Sequence, residues 1–163
     1  MTGDGADRAA AALATSGIEH TITRHGRVGS LEEAAAARGV EPGDIIKTLV
    51  VRRAEDDYLF VLVPAGRRFD WPKLRAHLGV SRLSLPDADE AQAATGYVRY
   101  TITPFGSTHP WPVIADAAVD GLEKVAIGGG DFGVNLHLAP ADLVRALDAD
   151  VVDVTVPEPE HQH

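Results

Sequence analysis

Apolar and polar residues alternate along the chain in short blocks, and most of these blocks have the length of a β-strand. Two of them, "IIKTLVVR" and "YLFVLVP", are separated by the acidic segment "AEDD", which predicts two adjacent strands joined by a tight turn. Further strands are predicted for "EHTITRH", "PVIAD", "KVAIG", "VNLHL" and "VVDV". The segment "TGYVRYTITPFG", residues 95–106, is predicted to be a strand and a loop, because β-favouring residues lie between glycine and proline.

Helices are predicted where Ala-rich or amphipathic segments begin at a capping residue. Residues 6–16 are Ala-rich and are followed by a glycine. Four more helices begin at Ser30, Asp70, Asp87 and Pro140. Helices and strands are interspersed irregularly, which predicts one α+β domain over residues 1–156, with a mixed, mostly antiparallel sheet of six or seven strands. Residues 157–163 are predicted to be a polar, mobile tail.

Composition narrows the class of protein. The chain has 163 residues, of which 45% are hydrophobic, and this suits one domain with a proper core. There is no cysteine, which excludes disulfides, thiolate catalysis and Cys-ligated zinc. Apolar runs are too short to span a membrane, and the N-terminus lacks the features of a signal peptide. We therefore expect a cytoplasmic protein without a membrane partner.

Charge is distributed unevenly along the chain. The formal net charge is −9, which argues against broad nucleic-acid binding. Residues 47–99, however, hold nine of the fifteen Lys and Arg residues and carry a balance of +2. A local basic surface on an acidic protein is therefore expected.

Lys47 is the first candidate for chemistry. If residues 45–51 form a strand, Lys47 shares a face with Ile45 and Leu49, and burial of an ammonium among apolar side chains is costly. Either the lysine has a functional role or it extends from an edge strand to solvent.

The glycine-rich segment "GGGDFG", residues 128–133, is the second candidate. Its N–H groups either bind an oxyanion or phosphate, or the segment is a flexible turn. It is not a P-loop, because no Gly-Lys-Ser/Thr follows, and the chain lacks the "HRD" motif of a kinase. Asp116, after "PVIA", is either a site carboxylate or a helix cap. The seven histidines have no metal-ligand spacing, so we expect no metal.

Three motifs occur together and in order: "IIKTLVVR", "TGYVRYTITPFG" and "VAIGGGDFGVNLHLAPADLVRAL". In this order and spacing they resemble the YbaK/ProX-type aminoacyl-tRNA editing domains, which act alone or are inserted in bacterial prolyl-tRNA synthetase. The resemblance covers about residues 15–155. It implies hydrolysis of the ester between a wrong amino acid and tRNA, typically tRNA for proline carrying alanine or cysteine, without a cofactor.

The resemblance also implies which residues form the site. Lys47, Gly130 and Gly133 would be catalytic, and Arg52 and Arg99 would contact tRNA phosphate unless Arg99 is simply solvated. The substrate would be bound by Asp116 and by the loop residues Gly96, Tyr100, Thr101, Pro104, Phe105 and Gly106. Many relatives resemble "GYVxGGxSPxG", so this chain departs from them at Tyr100 and Thr101. A bulky Tyr100 would narrow the pocket or change what it binds.

The function expected from these features is trans-editing, the deacylation of mischarged tRNA, with prolyl-tRNA synthetase as a further partner. Water would attack the ester while Lys47 and loop amides stabilise negative charge. Two alternatives stay open: a non-catalytic module of the same fold that binds a nucleotide or tRNA end, and a hydrolase of small esters unrelated to tRNA.

Overall fold

The computed structural model describes residues 4–26 and 31–158. Its helices are α1 (Asp4–Ser16), α2 (Leu31–Arg38), α3 (Trp71–Leu78), α4 (Ala88–Thr95) and α5 (Pro140–Leu147), with short 3-10 helices at Pro42–Asp44 and Ala117–Gly121. Its strands are β1 (Thr21–Arg24), β2 (Ile45–Ala54), β3 (Asp57–Pro64), β4 (Arg67–Phe69), β5 (Val113–Asp116), β6 (Val125–Gly128), β7 (Val134–Leu138), β8 (Asp150–Val152) and β9 (Thr155–Pro157).

Seven of these strands form one mixed sheet in the order β1-β7-β6-β2-β3-β5-β8, and β4 pairs with β9 in a second, two-stranded sheet. In the main sheet, β1/β7, β6/β7 and β2/β3 are antiparallel, whereas β2/β6, β3/β5 and β5/β8 are parallel. With the antiparallel β4/β9 pair, four of seven pairs are antiparallel. The predicted α+β class with a seven-stranded mixed sheet is confirmed.

Helices cover both faces of the sheet, since its central strands are apolar on both sides. On one face, Ile46, Val50 and Phe60 pack with Leu13 of α1 and Leu143 of α5. On the other face, Val51, Leu59, Val61 and Val63 pack with Leu74 of α3. The near-continuous burial of β3 is typical of a strand that is covered twice.

The predicted β2/β3 pair lies at the centre of the sheet. Its pairing runs from Ile46 opposite Pro64 to Ala54 opposite Asp57. On its other side, β2 pairs with β6 only through Ile45 and Ile46. β6 ends at Gly128 whereas β2 continues, and the candidate site lies beside the first half of β2.

The structure corrects the expectation for residues 95–106. They form no strand: α4 ends at Thr95, and the chain continues as a loop with turns. Tyr97 is buried, and its hydroxyl donates to the carbonyl oxygen of Phe105 at 2.6 Å, which closes the loop across its base. The β-favouring residues of this segment therefore pack individually instead of pairing in a sheet.

Arg8 of α1 holds both ends of this loop. Its Nη2 donates to the carbonyl oxygen of Gly96 at 2.8 Å, and its Nε donates to that of Gly106 at 3.3 Å. Its guanidinium carbon also lies 4.5 Å from the ring centroid of Tyr97. A Cβ on Gly106 would lie 2.6 Å from the Arg8 carbonyl oxygen, so glycine is needed there for the loop to reach α1.

Other boundaries agree with the sequence, with a few exceptions. Asp70 and Asp87 cap α3 and α4 through their carboxylates, as predicted. Strands β4 and β9 were not predicted, and Ser30 lies outside the described residues. Pro157, in the predicted tail, belongs to β9, and the N–H of Glu158 donates to the carbonyl oxygen of Gly66 at 2.8 Å. The rest of the tail, residues 159–163, lies outside the described part of the chain.

Candidate active site

A cavity of about 570 Å³ lies between β2 and the end of β6. Its walls come from four parts of the chain: residues 45–50 of β2, residues 126–128 of β6, residues 85–88 with Ala91 at α4, and Arg99, Tyr100 and Ile102 of the loop. This size is typical of small-molecule sites. The lining is mostly aliphatic with a few polar groups, which suits a small organic group attached to a polar carrier.

Lys47, a candidate site residue from the sequence, is among the residues that line this cavity. Its ammonium donates to the carbonyl oxygen of Arg67 at 3.2 Å and lies 3.8 Å from a carboxylate oxygen of Glu158. The Lys47 side chain is 40% exposed, so the ammonium is solvated and not buried among apolar groups. The lysine therefore extends to solvent, but from a central strand and not from an edge strand, and its ammonium contacts two residues that lie outside the cavity lining.

Thr48 is a cavity residue that the sequence analysis missed. Its Oγ1 is buried and has no hydrogen-bond partner among the described residues. An unpaired buried hydroxyl costs free energy unless a ligand satisfies it. The available signal was a second polar residue directly after Lys47 in an apolar strand.

Two of the predicted loop residues reach the cavity. Arg99 and Tyr100 both line it, and the Arg99 guanidinium carbon lies 4.9 Å from the ring centroid of Tyr100. Tyr100 is 81% exposed and has φ of 72°, in the left-handed region that glycine favours. This explains in physical terms why small residues suit this position, and it places the ring at the mouth of the cavity.

The other predicted loop residues lie outside the cavity lining. Thr101 is 2% exposed and its Oγ1 donates to the carbonyl oxygen of Val98, and Phe105 is packed in the core. Gly96 and Gly106 contact Arg8, and the carbonyl oxygen of Pro104 accepts from the N–H of Ser107 at 3.4 Å. Five of the predicted substrate contacts are thus positions that shape the loop.

The glycine loop also has a packing role in this structure. The N–H of Gly130 donates to the carbonyl oxygen of Thr101 at 3.0 Å, so it is occupied and does not point into the cavity. A Cβ on Gly130 would lie 2.4 Å from the carbonyl oxygen of Gly5, and one on Gly133 would lie 2.2 Å from that of His25. Neither glycine lines the cavity, whereas Gly128 does.

Asp116 is a helix cap, which was one of the two interpretations of the sequence, the other being a site carboxylate. It is 1% exposed, and its two carboxylate oxygens accept from the N–H groups of Ala118 and Val154, both at 3.0 Å. Arg67 Nε lies 3.5 Å from the same carboxylate. Every strong contact of Asp116 is therefore internal, and it does not line the cavity.

A second cavity, of about 560 Å³, is lined by residues 52–54, Arg75 and residues 81–84. Its lining includes Arg52, Arg53, Arg75 and Arg82. Arg52 lies 3.3 Å from Glu90, and Arg53 pairs with Asp57. Arg75 and Arg82 have no ion-pair partner within the described residues. We refer to this group as the arginine cavity.

Arg52 of the arginine cavity belongs to a small hydrogen-bonded group with Glu90 and Tyr58. The hydroxyl of Tyr58 donates to Glu90 at 2.5 Å, and the same carboxylate oxygen lies near Arg52. The bond to Glu90 raises the pKa of Tyr58 to about 12, so the phenol stays protonated at neutral pH. Glu90 thereby fixes β2, β3 and α4 relative to one another.

The fold agrees with that of known proteins. The sequence model for the aminoacyl-tRNA editing domain matches residues 25–146, well over half of the chain. The chain belongs to the aminoacyl-tRNA editing domain family. This confirms the resemblance predicted from the three sequence motifs, and with it the class of editing deacylases.

Comparison with individual proteins supports the same family assignment. EbsC of Enterococcus faecalis is named as a candidate Cys-tRNA(Pro)/Cys-tRNA(Cys) deacylase. It is 24% identical to this chain over 129 residues, and the aligned part covers 79% of each protein. A proline–tRNA ligase of Thermosipho melanesiensis is 28% identical over 86% of this chain, which spans only 25% of that ligase. A crystal structure of a candidate trans-editing enzyme for prolyl-tRNA synthetase superposes with a TM-score of 0.84 at 26% identity, covering 96% of this chain and 98% of that one.

Two further observations concern metal binding and membrane insertion. Among the residues that the structure describes, no group of three or more His, Cys, Asp or Glu side chains is arranged to hold a metal ion. In the same residues, no helix has the length and apolar character needed to cross a membrane.

Proposed function

We propose that this editing domain is a trans-acting deacylase that hydrolyses the ester between a small, wrong amino acid and tRNA, with alanine or cysteine on tRNA for proline as the substrate. The observation that carries the proposal is the cavity between β2 and β6, which combines an aliphatic wall with Lys47 and the unpaired hydroxyl of Thr48. The names of EbsC and of the superposable trans-editing enzyme support the substrate class.

In this proposal the aminoacyl group enters the cavity and the terminal ribose lies at its mouth. Water attacks the ester carbonyl, the bond from the carbonyl carbon to the ribose oxygen breaks, and the ribose hydroxyl regains a proton. The Lys47 ammonium leaves the Arg67 carbonyl oxygen and stabilises the negative charge that develops. Leaving costs little, because the Lys47–Glu158 pair is exposed. The Thr48 hydroxyl hydrogen-bonds to the substrate.

Editing solves a problem that binding alone cannot solve. One methylene changes binding by only about 1–3 kcal/mol, so a synthetase cannot strongly reject a slightly smaller amino acid. A separate cavity that admits small aminoacyl groups removes the errors after they form. The cavity has few polar groups, and this fits an ester substrate. Because an aminoacyl ester is labile, its hydrolysis needs orientation and charge stabilisation more than a nucleophile.

A panel of labelled tRNAs tests the function. Transcripts of tRNA for proline are charged with alanine, cysteine or proline, and release of the labelled amino acid is followed over several turnovers. We expect release of alanine or cysteine and little release of proline. Binding of the tRNA without release would contradict the proposal in favour of a binding module, and release from free aminoacyl esters alone would favour a small-ester hydrolase.

The arginine cavity leads to a prediction about tRNA affinity. Each phosphate contact contributes about 0.7–0.9 to the slope of log affinity against log salt. Replacement of both Arg75 and Arg82 by alanine should therefore flatten the slope by about 1.5, as measured by fluorescence anisotropy with uncharged tRNA. Arg145→Ala is the control, since Arg145 lies on α5, is not in the lining of either cavity, and pairs with Asp142. An unchanged slope in the double variant would exclude the arginine cavity as a phosphate site.

A further inference from the structure

The mouth of the cavity between β2 and β6 carries an aromatic ring that the fold itself does not need. Tyr100 is 81% exposed, so its ring gains little from packing. Its backbone has φ of 72°, which is unfavourable for any residue with a side chain other than a short polar one. Both properties would favour glycine at this position if folding alone were at stake. Strained residues of this kind cluster at binding sites.

The chemistry of the ring and its neighbour indicates what it binds. The Arg99 guanidinium lies against the Tyr100 ring, at 4.9 Å from the guanidinium carbon to the ring centroid. With 81% of Tyr100 exposed, most of the ring remains open to a ligand. An exposed aromatic face beside an arginine is the arrangement that stacks nucleic-acid bases without reading their sequence. Leu85, which is 55% exposed, adds a second apolar side chain to the same lining.

We propose that Tyr100, supported by Arg99, is a stacking platform for the terminal adenine of the tRNA substrate. This inference rests on the proposed function, because it requires the aminoacyl group to occupy the cavity. In an aminoacyl-tRNA the amino acid is esterified to the terminal ribose, and the ribose carries the adenine. A base therefore lies directly outside the cavity whenever the amino acid lies inside it, at the height of the exposed ring. Tyr100 is then a positioning residue and does not read the amino acid.

Direct binding of two stable analogues tests the platform without turnover. The first is 3′-alanylamido-3′-deoxyadenosine, in which an amide replaces the labile ester. The second is the same alanylamido sugar without the base. Affinity is measured by titration followed by NMR for the wild type, Tyr100→Phe, Tyr100→Leu and Tyr100→Gly. If the adenine stacks on one aromatic ring, Tyr100→Leu and Tyr100→Gly should lower the affinity for the adenosine analogue by about 5- to 100-fold. The affinity of Tyr100→Phe should stay close to that of the wild type.

The remaining measurements separate stacking from other roles of Tyr100. The analogue without a base should bind the wild type and all variants equally, and Tyr100→Gly should melt no lower than the wild type, because glycine relieves the left-handed backbone. Equal losses for both analogues would overturn the platform and place Tyr100 in the aminoacyl pocket. A lower melting temperature for Tyr100→Gly with unchanged affinities would also overturn it. If deacylation itself is absent from the tRNA panel, the proposed function fails while base stacking is still measured here.

Discussion

Replacement of Lys47 by alanine should lower the rate of deacylation about a hundredfold, because one charge at the reacting centre contributes on the order of 3 kcal/mol to transition-state stabilisation. The melting temperature should change little. The Lys47 side chain is 40% exposed, and its pair with Glu158 spans 3.8 Å at the surface, where ion pairs contribute about 0–1 kcal/mol. Single-turnover deacylation of alanyl-tRNA measures the first quantity, and thermal unfolding measures the second.

Lys73 provides a closely matched control for this experiment. Its side chain is also 40% exposed, pairs with Asp153 at 2.9 Å, and lies outside the cavity. Lys73→Ala removes the same charge and should leave the rate unchanged. Glu158→Gln removes the carboxylate that competes for the Lys47 ammonium, so its rate should equal or exceed that of the wild type. Near-normal turnover in Lys47→Ala would exclude the lysine from the reaction.

Local sequence rules predicted most of the fold because the central elements satisfy them individually. The β2/β3 pair was predictable from two apolar runs around an acidic turn, but its register was not, because the pairing shifts by one residue between Arg52 and Ala54. The starts of α3 and α4 were predictable because Asp70 and Asp87 accept hydrogen bonds from their own first turns. Such signals are contained in short, continuous stretches of the sequence. Strands β4 and β9 escaped prediction because each has only three residues and exists through its distant partner.

The loop of residues 96–106 shows what local rules cannot supply. Its residues favour strands, but Gly96 and Gly106 are held by Arg8, which lies 88 and 98 positions away in the sequence. In the structure these two glycines approach Arg8 of α1, whose side chain and backbone both lie close to them. The pattern of a single arginine in an Ala-rich helix gives no sign of this contact.

The site was predictable only in part for the same reason. Lys47 stood out as a charge in an apolar strand, and it does line the cavity. Gly130 was expected to present its N–H to the substrate, but Thr101 from another part of the chain occupies that N–H. Thr48 was overlooked because a threonine is an ordinary strand residue, and its position after Lys47 is a weak signal beside the missing hydrogen-bond partner within the described structure.

Arg8 carries the second large prediction, since one side chain holds the loop that forms the mouth of the cavity. Arg8→Ala removes two hydrogen bonds from a charged donor and a cation–π contact. We expect the free energy of unfolding to fall by about 3 kcal/mol. This value is at the lower end of the range for two charged hydrogen bonds and a cation–π contact, because Arg8 is only half-buried. For a chain of this size this corresponds to a melting temperature lower by about 6–12 °C.

Deacylation by Arg8→Ala should also fall at temperatures where the protein remains folded, because Arg99 and Tyr100 lie between the two anchored glycines and lose their positions at the cavity. Arg8→Lys should not rescue either property, since a single ammonium cannot replace the planar fork that reaches Gly96 and Gly106 together. Arg145→Ala, which removes an arginine 71% exposed at the surface, should change stability by less than about 0.5 kcal/mol. Full rescue by lysine would show that Arg8 acts through its charge alone, and normal turnover in folded Arg8→Ala would show that the mouth of the cavity does not depend on this anchor.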